Sequence, residues 1–190
     1  MTFIRPRLRH AQHLISAWSL MLLAGCSAPT PPTHSPSVAD KIVPAQVITA
    51  APMQFEVPGG ESLAARVWST PKPRHIVLGV HGFNDYSKAF EPLAQHLVTE
   101  LQATVYAYDQ RGFGANPQPG IWPGTDPLLG DLRDIATQLR ERHPGLPLTV
   151  VGESMGGAVV WVAASEPPGL QADQLVLKAP AVWGADSMPW

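Results

Sequence analysis

The chain has 190 residues, 45% of them hydrophobic, and its 13 basic residues stand against 15 acidic ones. This composition predicts about one globular domain, and the near-neutral charge gives no long-range attraction to nucleic acid or anionic surfaces. The sequence contains no CxxC pair, no phosphate-binding glycine loop and no basic patch with interleaved aromatic residues. It therefore predicts no nucleic-acid partner, no metal and no cofactor.

The first 25 residues have the pattern of a secretory signal peptide. Three arginines in the first nine positions precede an apolar run over residues 14–25, which is shorter than the about 20 residues that span a bilayer. The run ends in Leu-Ala-Gly before Cys26, the only cysteine, and resembles the bacterial lipobox in which the cysteine is lipidated. The sequence thus predicts a lipid anchor at Cys26, with Ser27 favouring the periplasmic face of the outer membrane. A plain signal peptide or an uncleaved anchor is the alternative.

Proline, serine and threonine dominate residues 26–52, which we predict to be an extended tether because such a segment buries little apolar surface. The folded domain is predicted over residues 53–190. Its predicted strands and helices, in chain order, are a hairpin turning at Pro58-Gly59-Gly60, a buried strand at 76–80, a helix at 88–100, a strand from 103, a helix at 126–142, a strand at 147–154, a helix at 155–165 and a strand at 173–183.

The apolar spacing of the two longer helices predicts the residues that they bury. In the first helix these are Phe90, Leu93, Leu97 and Leu101, and the second has a comparable set from Leu128 to Leu139. Asp126 is the predicted N-cap of the second helix, with proline following at its first position. Strands that alternate with helices predict an α/β fold with a mostly parallel sheet between two layers of helices.

Ser154 is the candidate catalytic nucleophile, because residues 152–156 read G-E-S-M-G between a predicted strand and a predicted helix. This is the context of a nucleophile elbow, a sharp turn that projects the serine hydroxyl above the sheet and needs small neighbours. The backbone N–H of Met155, at the start of the helix, would then stabilise the oxyanion. A small residue in a tight turn without catalytic function is the alternative interpretation.

A second loop, His81-Gly82-Phe83-Asn84, follows the buried strand at 76–80. A loop at this place supplies the other oxyanion N–H in enzymes with the elbow, and we assign it to the backbone of Phe83. We interpret His81 as a structural residue rather than the general base, because the base of such enzymes follows the nucleophile in the chain.

Three stretches together resemble the α/β hydrolases of the monoacylglycerol lipase and lysophospholipase type: VLGVHGFNDYSKAFEPLAQHL, VYAYDQRGFGANP and VVGESMGGAVV. The resemblance covers about residues 53–185. It implies an α/β-hydrolase fold, a lipid or other carboxylic ester substrate and no cofactor. It also implies that Asp109 and Arg111 order a loop rather than catalyse, and that Trp122 serves packing. Tyr86 and Phe113 remain open between an acyl pocket and the core.

The acid and the histidine of a catalytic triad are absent where the family pattern places them. No histidine follows Ser154, and the last one is His143. Among the later carboxylates, Glu166 and Asp173 flank a helix end and a strand start, and Asp186 comes too early for the family's acid. We therefore expect a chain truncated before the lid and the last strands, and nearly inactive by itself. A serine aminopeptidase of the same fold and a non-catalytic, lipid-anchored hydrolase remnant are the alternatives.

Overall fold

The structure, a computed structural model, describes residues 48–184. The predicted signal peptide, Cys26, nearly all of the predicted tether and Asp186 lie outside these residues. Within them, no helix combines the length and the apolar character needed to cross a bilayer. The first strand begins at Ala51, and Ile48 and Ala50 already pack against the core, so the folded part starts before the predicted boundary at residue 53.

Between residues 48 and 184, six strands form one sheet: β1 (Ala51–Val57), β2 (Glu61–Trp68), β3 (His75–Val80), β4 (Ala103–Tyr108), β5 (Leu148–Glu153) and β6 (Gln174–Lys178). Their order in the sheet is β1-β2-β4-β3-β5-β6. The hairpin β1–β2 is antiparallel, and β2 also runs antiparallel to β4, whereas β4, β3, β5 and β6 are parallel. The predicted mostly parallel α/β sheet is therefore confirmed.

In the described part of the chain, three α-helices cover the two faces of the sheet: α1 (Glu91–Leu101), α2 (Thr125–Arg142) and α3 (Met155–Ser165). Helices α2 and α3 contribute to one buried cluster and α1 to the other. Strand β4 is buried at every position, and β3 at every position after its first residue, as expected for strands covered on both faces. Because the carboxyl ends of parallel strands lie at one edge of the sheet, the loops after β3, β4, β5 and β6 meet there.

The predicted buried face of α1 is partly wrong. Leu93 and Leu101 are 37% and 52% exposed, while Ala94 and Val98 are buried on the same side as Phe90. The ring of Phe90 lies over Gly79, where an added Cβ would be only 2.6 Å from the ring. The helix approaches the sheet closely through this contact, and the small residues Ala94 and Val98 fit the space that remains. A turn of 3-10 helix, Ser87–Phe90, precedes α1.

The start of α2 also differs from its prediction. The N-cap is Gly124, with φ 93° and ψ 167°, and Asp126 lies in the first turn, where its charge is favourable to the helix dipole. Pro127 is then the third helical residue rather than the first. The first four N–H groups of a helix make no intrahelical hydrogen bond, so a proline at the third position removes none. The predicted turn at Pro58-Gly59-Gly60 is present, and both glycines have positive φ.

Candidate active site

Ser154 lies at the turn between β5 and α3, at the edge of the sheet where the loops meet. Its backbone has φ 53° and ψ −117°, a conformation that non-glycine residues rarely adopt. Both backbone groups of the serine are bonded: its N–H donates to the carbonyl of Lys178 (3.0 Å), and its carbonyl accepts from the N–H groups of Ala158 (3.1 Å) and Ala181 (2.9 Å). The serine is thus held in a strained turn by the strand beside it and by the helix that follows.

The glycines around Ser154 are required by close backbone approach. A Cβ at Gly152 would be 2.6 Å from the carbonyl oxygen of Gly156, and a Cβ at Gly156 would overlap the carbonyl oxygen of Val80. A Cβ at Gly157 would be 2.9 Å from Pro180. No side chain fits between these segments, so the motif G-E-S-M-G-G is what lets α3 begin directly against the end of β3.

The loop after β3 lies directly against Ser154. A Cβ at Gly82 would be 3.3 Å from the Cβ of the serine and 3.9 Å from its Oγ. The structure therefore brings Gly82-Phe83 and Ser154-Met155, the two predicted sources of oxyanion donors, to one place. The side chain of Phe83 is 62% exposed and packs edge-on against Phe113, with ring centroids 5.5 Å apart.

His81 is buried beneath this loop, with both ring nitrogens engaged. Its Nδ1–H donates to the carbonyl of Gly82 (2.7 Å), and its Nε2 accepts from the backbone N–H of Gln110 (2.9 Å). Burial lowers the pKa of His81 and so favours the neutral ring, against the opposing effects of the Gly82 hydrogen bond, Asp109 and Asp85. A ring that accepts at Nε2 and donates at Nδ1 has no lone pair left for the serine proton, so His81 is not its base in this conformation.

The other three histidines of the described segment lie away from Ser154. His75 begins β3 and His143 caps the end of α2, so both lie at the opposite edge of the sheet, where His143 bonds the Tyr106 hydroxyl (2.8 Å). His96 is exposed in the middle of α1. None of the histidines between residues 48 and 184 is therefore placed to activate the serine.

Asp109 and Arg111 order the loop between β4 and α2. The Asp109 carboxylate is buried and accepts from the N–H groups of Ser87 (2.7 Å) and Ala115 (2.8 Å). Arg111 makes two hydrogen bonds, of 2.6 and 2.9 Å, to the buried carboxylate of Asp131 on α2 and also pairs with Glu61 on β2. These contacts connect the hairpin, the loop and α2.

Sequence reasoning missed three polar residues of this region. Gln110 is fully buried and donates from its side chain to the carbonyl of His81 (2.8 Å), Asn116 joins the loop to the N–H of Ala64 on β2 (2.8 Å), and Asp131 is the partner of Arg111. Their partners are 29, 52 and 20 positions away in sequence. Of the three, only Asp131 could have been found from the sequence. A carboxylate among the buried leucines of a helix requires a partner.

The two carboxylates after the serine that the structure describes, Glu166 and Asp173, do not approach it. Asp173 accepts from the N–H of Leu148 (2.7 Å) and pairs with Arg140 (2.8 Å), at the edge of the sheet opposite Ser154. The hydrogen bond from Arg140 is the main cause that lowers the pKa of Asp173. Glu166 is the exposed C-cap of α3. In the part of the chain that the structure describes, no three acidic, histidine or cysteine side chains are grouped to hold a metal ion.

The aromatic residues near the site differ in exposure. Phe113 is 7% exposed and packs against His81 and Phe83, which is a core role. Tyr86 is 40% exposed, with the Arg66 guanidinium 6.0 Å from its ring centre. Trp122 is 54% exposed and lines a cleft against α2 and α3. The expectation that Trp122 serves packing stays a prediction, because more than half of its surface is open in this structure.

Comparisons with known proteins agree with this arrangement. The human monoglyceride lipase is 31% identical over 125 residues, which cover 65% of this chain and 41% of the lipase. The monoacylglycerol lipase of Mycolicibacterium smegmatis is 29% identical over 142 residues, covering 74% of this chain and 50% of that protein. The chain thus spans about half, or less, of the length of these curated relatives.

A solved structure and a family profile extend the comparison. A soluble variant of the Saccharomyces cerevisiae monoglyceride lipase, in complex with a substrate analogue, superposes with a TM-score of 0.58 at 25% identity, covering 72% of this chain and 47% of that one. The profile of the serine aminopeptidase S33 family matches residues 71–190, which include the whole parallel part of the sheet and the turn at Ser154. The chain has the α/β-hydrolase fold and belongs to the serine aminopeptidase S33 family.

Proposed function

We propose that the protein is a serine hydrolase of carboxylic esters, with monoacylglycerols or lysophospholipids as its substrates and Ser154 as its nucleophile. The observation that carries the proposal is the strained, glycine-enclosed turn at Ser154, which lies directly against the loop of Gly82 and Phe83. The monoglyceride lipases among the relatives support an ester as the substrate.

In the proposed reaction, the Ser154 Oγ attacks the ester carbonyl carbon while its proton passes to a base. The carbonyl oxygen becomes an oxyanion, which accepts hydrogen bonds from the backbone N–H groups of Met155 and Phe83. Collapse of this intermediate breaks the bond to the alcohol, which leaves with the proton, and an acyl-enzyme remains on Ser154. Water then attacks the acyl-enzyme and releases the carboxylic acid.

The base and its acidic partner are proposed to come from outside residues 48–184, because the histidines of that segment are occupied, exposed or at the far edge of the sheet. Without a base, an oxyanion hole and substrate binding leave a residual acceleration of roughly 10³–10⁴ over water. We therefore expect slow chemistry from residues 48–184 by themselves and full activity only where the base is present.

Covalent labelling with a fluorophosphonate probe, followed by peptide mass spectrometry, tests the proposal on the full-length protein. We expect the label on Ser154, loss of labelling in Ser154→Ala, and normal labelling in Ser165→Ala, a matched control at the exposed end of the same helix. Absence of labelling at Ser154 in a folded protein would reject the catalytic assignment and favour the non-catalytic alternative.

The second candidate is an aminopeptidase, which the name of the matching family favours. It uses the same serine and the same oxyanion donors but cleaves an amide next to a free amino group. Comparing hydrolysis of a monoacylglycerol with that of aminoacyl amides separates the two. A ratio of kcat/KM above tenfold in favour of the monoacylglycerol supports the ester hydrolase, and the reverse supports the peptidase.

We also propose that Cys26 carries a lipid anchor that holds the protein in a bacterial cell envelope. Support comes from the basic start, the apolar run over residues 14–25 and the small residues before the cysteine. Metabolic labelling with a palmitate analogue should modify the protein, and Cys26→Ala should abolish the label and release the protein from membranes. Equal labelling of Cys26→Ala would contradict the anchor.

A further inference from the structure

Gln110 is a fully buried residue in the loop after β4, and two of its hydrogen bonds converge on His81. Its backbone N–H donates to the Nε2 of the His81 ring (2.9 Å), and its side-chain Nε2 donates to the His81 carbonyl oxygen (2.8 Å). Gln110 therefore fixes both the ring tautomer of His81 and the orientation of the peptide that joins His81 to Gly82.

The His81 ring extends this constraint to the next peptide. Because its Nε2 accepts from Gln110, its proton lies on Nδ1, which donates to the carbonyl oxygen of Gly82 (2.7 Å). That oxygen belongs to the same planar peptide unit as the N–H of Phe83, and in a trans peptide the two point in opposite directions. A hydrogen bond at the Gly82 carbonyl thus determines where the Phe83 N–H points.

The loop that Gln110 holds is in contact with the candidate nucleophile. A Cβ at Gly156 would be 2.5 Å from the His81 carbonyl oxygen, so this carbonyl lies against the start of α3. A Cβ at Gly82 would be 3.3 Å from the Cβ of Ser154. A shift of the loop would therefore change the geometry beside the serine.

Stability alone does not explain an amide at position 110. The Gln110 side chain pairs the His81 carbonyl, but its own Oε1 is buried and has no hydrogen-bond partner among residues 48–184. A methionine of similar length would remove the unpaired Oε1 and leave at most one other buried acceptor, the His81 carbonyl, unpaired. Since an unpaired buried acceptor costs free energy in either case, the two side chains should give the fold similar stability.

We infer that Gln110 is a positioning residue for the oxyanion donor on Phe83. The inference rests on the proposed function, in which the Phe83 N–H binds the oxyanion together with the N–H of Met155. Gln110 has no exposed surface to contact an ester and acts through His81. Because the oxyanion develops only in the transition state, a misdirected donor lowers kcat and leaves KM nearly unchanged.

The test measures kcat and KM of the full-length protein for p-nitrophenyl butyrate. Loss of a whole oxyanion donor costs about 10²–10³ in kcat, so misplacement of one in Gln110→Met should lower kcat about tenfold or more. KM should stay within about twofold of the wild-type value. Urea denaturation should give Gln110→Met nearly the wild-type midpoint, which separates the effect on kcat from a loss of folded protein.

Gln138→Met is the matched control. The Gln138 side chain also donates to a backbone carbonyl, that of Glu56 (2.7 Å), but this hydrogen bond joins α2 to β1 and does not involve the loop of His81. The control should keep the wild-type kcat and KM.

Gln110→Glu is the second variant, and it makes the hydrogen bond to His81 depend on pH. Only a protonated carboxyl can donate to the His81 carbonyl, and burial raises the pKa of a carboxyl at this position. The kcat of Gln110→Glu, divided by that of the wild-type protein, should rise as the pH is lowered from 8 to 6, by up to about tenfold per pH unit. The division removes the pH dependence of the base, which both proteins share.

Wild-type kcat in a folded Gln110→Met, or a kcat ratio for Gln110→Glu that stays low from pH 8 to pH 6, would overturn the positioning role. Either result would leave the proposed function intact, provided that hydrolysis still depends on Ser154. Absence of any Ser154-dependent hydrolysis by the wild-type protein would overturn both.

Discussion

At the scale of single residues, Gly156 is the position at which α3 and the end of β3 approach most closely. A Cβ there would overlap the backbone carbonyl of Val80, which has no freedom to rotate away. We expect Gly156→Ala to lower the free energy of unfolding by about 1–3 kcal/mol, as overpacking does in other cores. Urea denaturation measures the change.

The control for this substitution is Gly130→Ala, in the middle of α2, where an added Cβ meets no atom within 4 Å. There the same change should raise the free energy of unfolding by about 0.4–1 kcal/mol, since alanine restricts the unfolded chain and favours the helix. If the two substitutions changed the free energy of unfolding equally, the close approach of backbone at Gly156 would not be the reason for glycine at this position.

His81 should make stability depend on pH. Burial holds its pKa below the ordinary 6.5, so below about pH 6.5 the unfolded chain binds a proton that the folded chain does not. The contribution of His81 to the free energy of unfolding should therefore be complete above about pH 6.5. It should fall as the pH decreases below that value, by up to about 1.4 kcal/mol per pH unit.

Urea denaturation at pH 7.5 and 5.5 measures the effect of His81. His81→Asn should lose less stability between the two pH values than the wild-type chain, although it is less stable at both. His96→Gln, on the exposed face of α1, should retain the wild-type difference. An undiminished difference in His81→Asn would contradict the assignment.

At the scale of elements, the ion pair of Arg111 and Asp131 connects the loop after β4 to α2. The two side chains are 15% and 4% exposed, so removing one leaves the other charge poorly solvated. We expect Asp131→Asn to cost about 3 kcal/mol of stability, whereas the double variant Arg111→Met with Asp131→Leu should cost less than the sum of its single changes.

The exposed pair of Glu153 and Lys178 is the matched control for this prediction. Its side chains are 41% and 68% exposed, and Glu153→Gln should cost less than about 1 kcal/mol. Additive single effects in the Arg111–Asp131 cycle, measured by urea denaturation, would show that the two residues act independently.

The helices and strands follow from local patterns, and the contacts between them do not. The buried residues of α2 were predicted because that helix presents one wide apolar face. The buried residues of α1, Ala94 and Val98, were not predicted. The contact of the Phe90 ring with Gly79 determines how closely α1 approaches the sheet, and this contact is not apparent from the spacing of apolar residues. The candidate nucleophile was visible in five consecutive letters. Gln110, which bonds His81 from 29 positions away, has no local signal at all.

At the scale of the whole molecule, β6 is an edge strand of the sheet described over residues 48–184. Leu175 and Val176 are 41% and 48% exposed on it, and a net charge of −2 gives little repulsion between copies. We expect the 190-residue chain by itself to associate through this edge. Val176→Lys should weaken the association about tenfold in sedimentation experiments, and Thr99→Lys on α1 should not.

The backbone conformation of Ser154 lowers the stability of the fold. A serine with φ 53° and ψ −117° is strained, and such residues cost of order 1–3 kcal/mol. Selection for stability alone would replace it with glycine, the one residue for which the conformation is unstrained. Elsewhere glycine is less stable than alanine by roughly 0.5–1 kcal/mol. Here Ser154→Gly should unfold at a higher urea concentration than Ser154→Ala, the reverse of the usual order. The difference in free energy of unfolding between the two variants would measure how much stability a side chain at this turn costs.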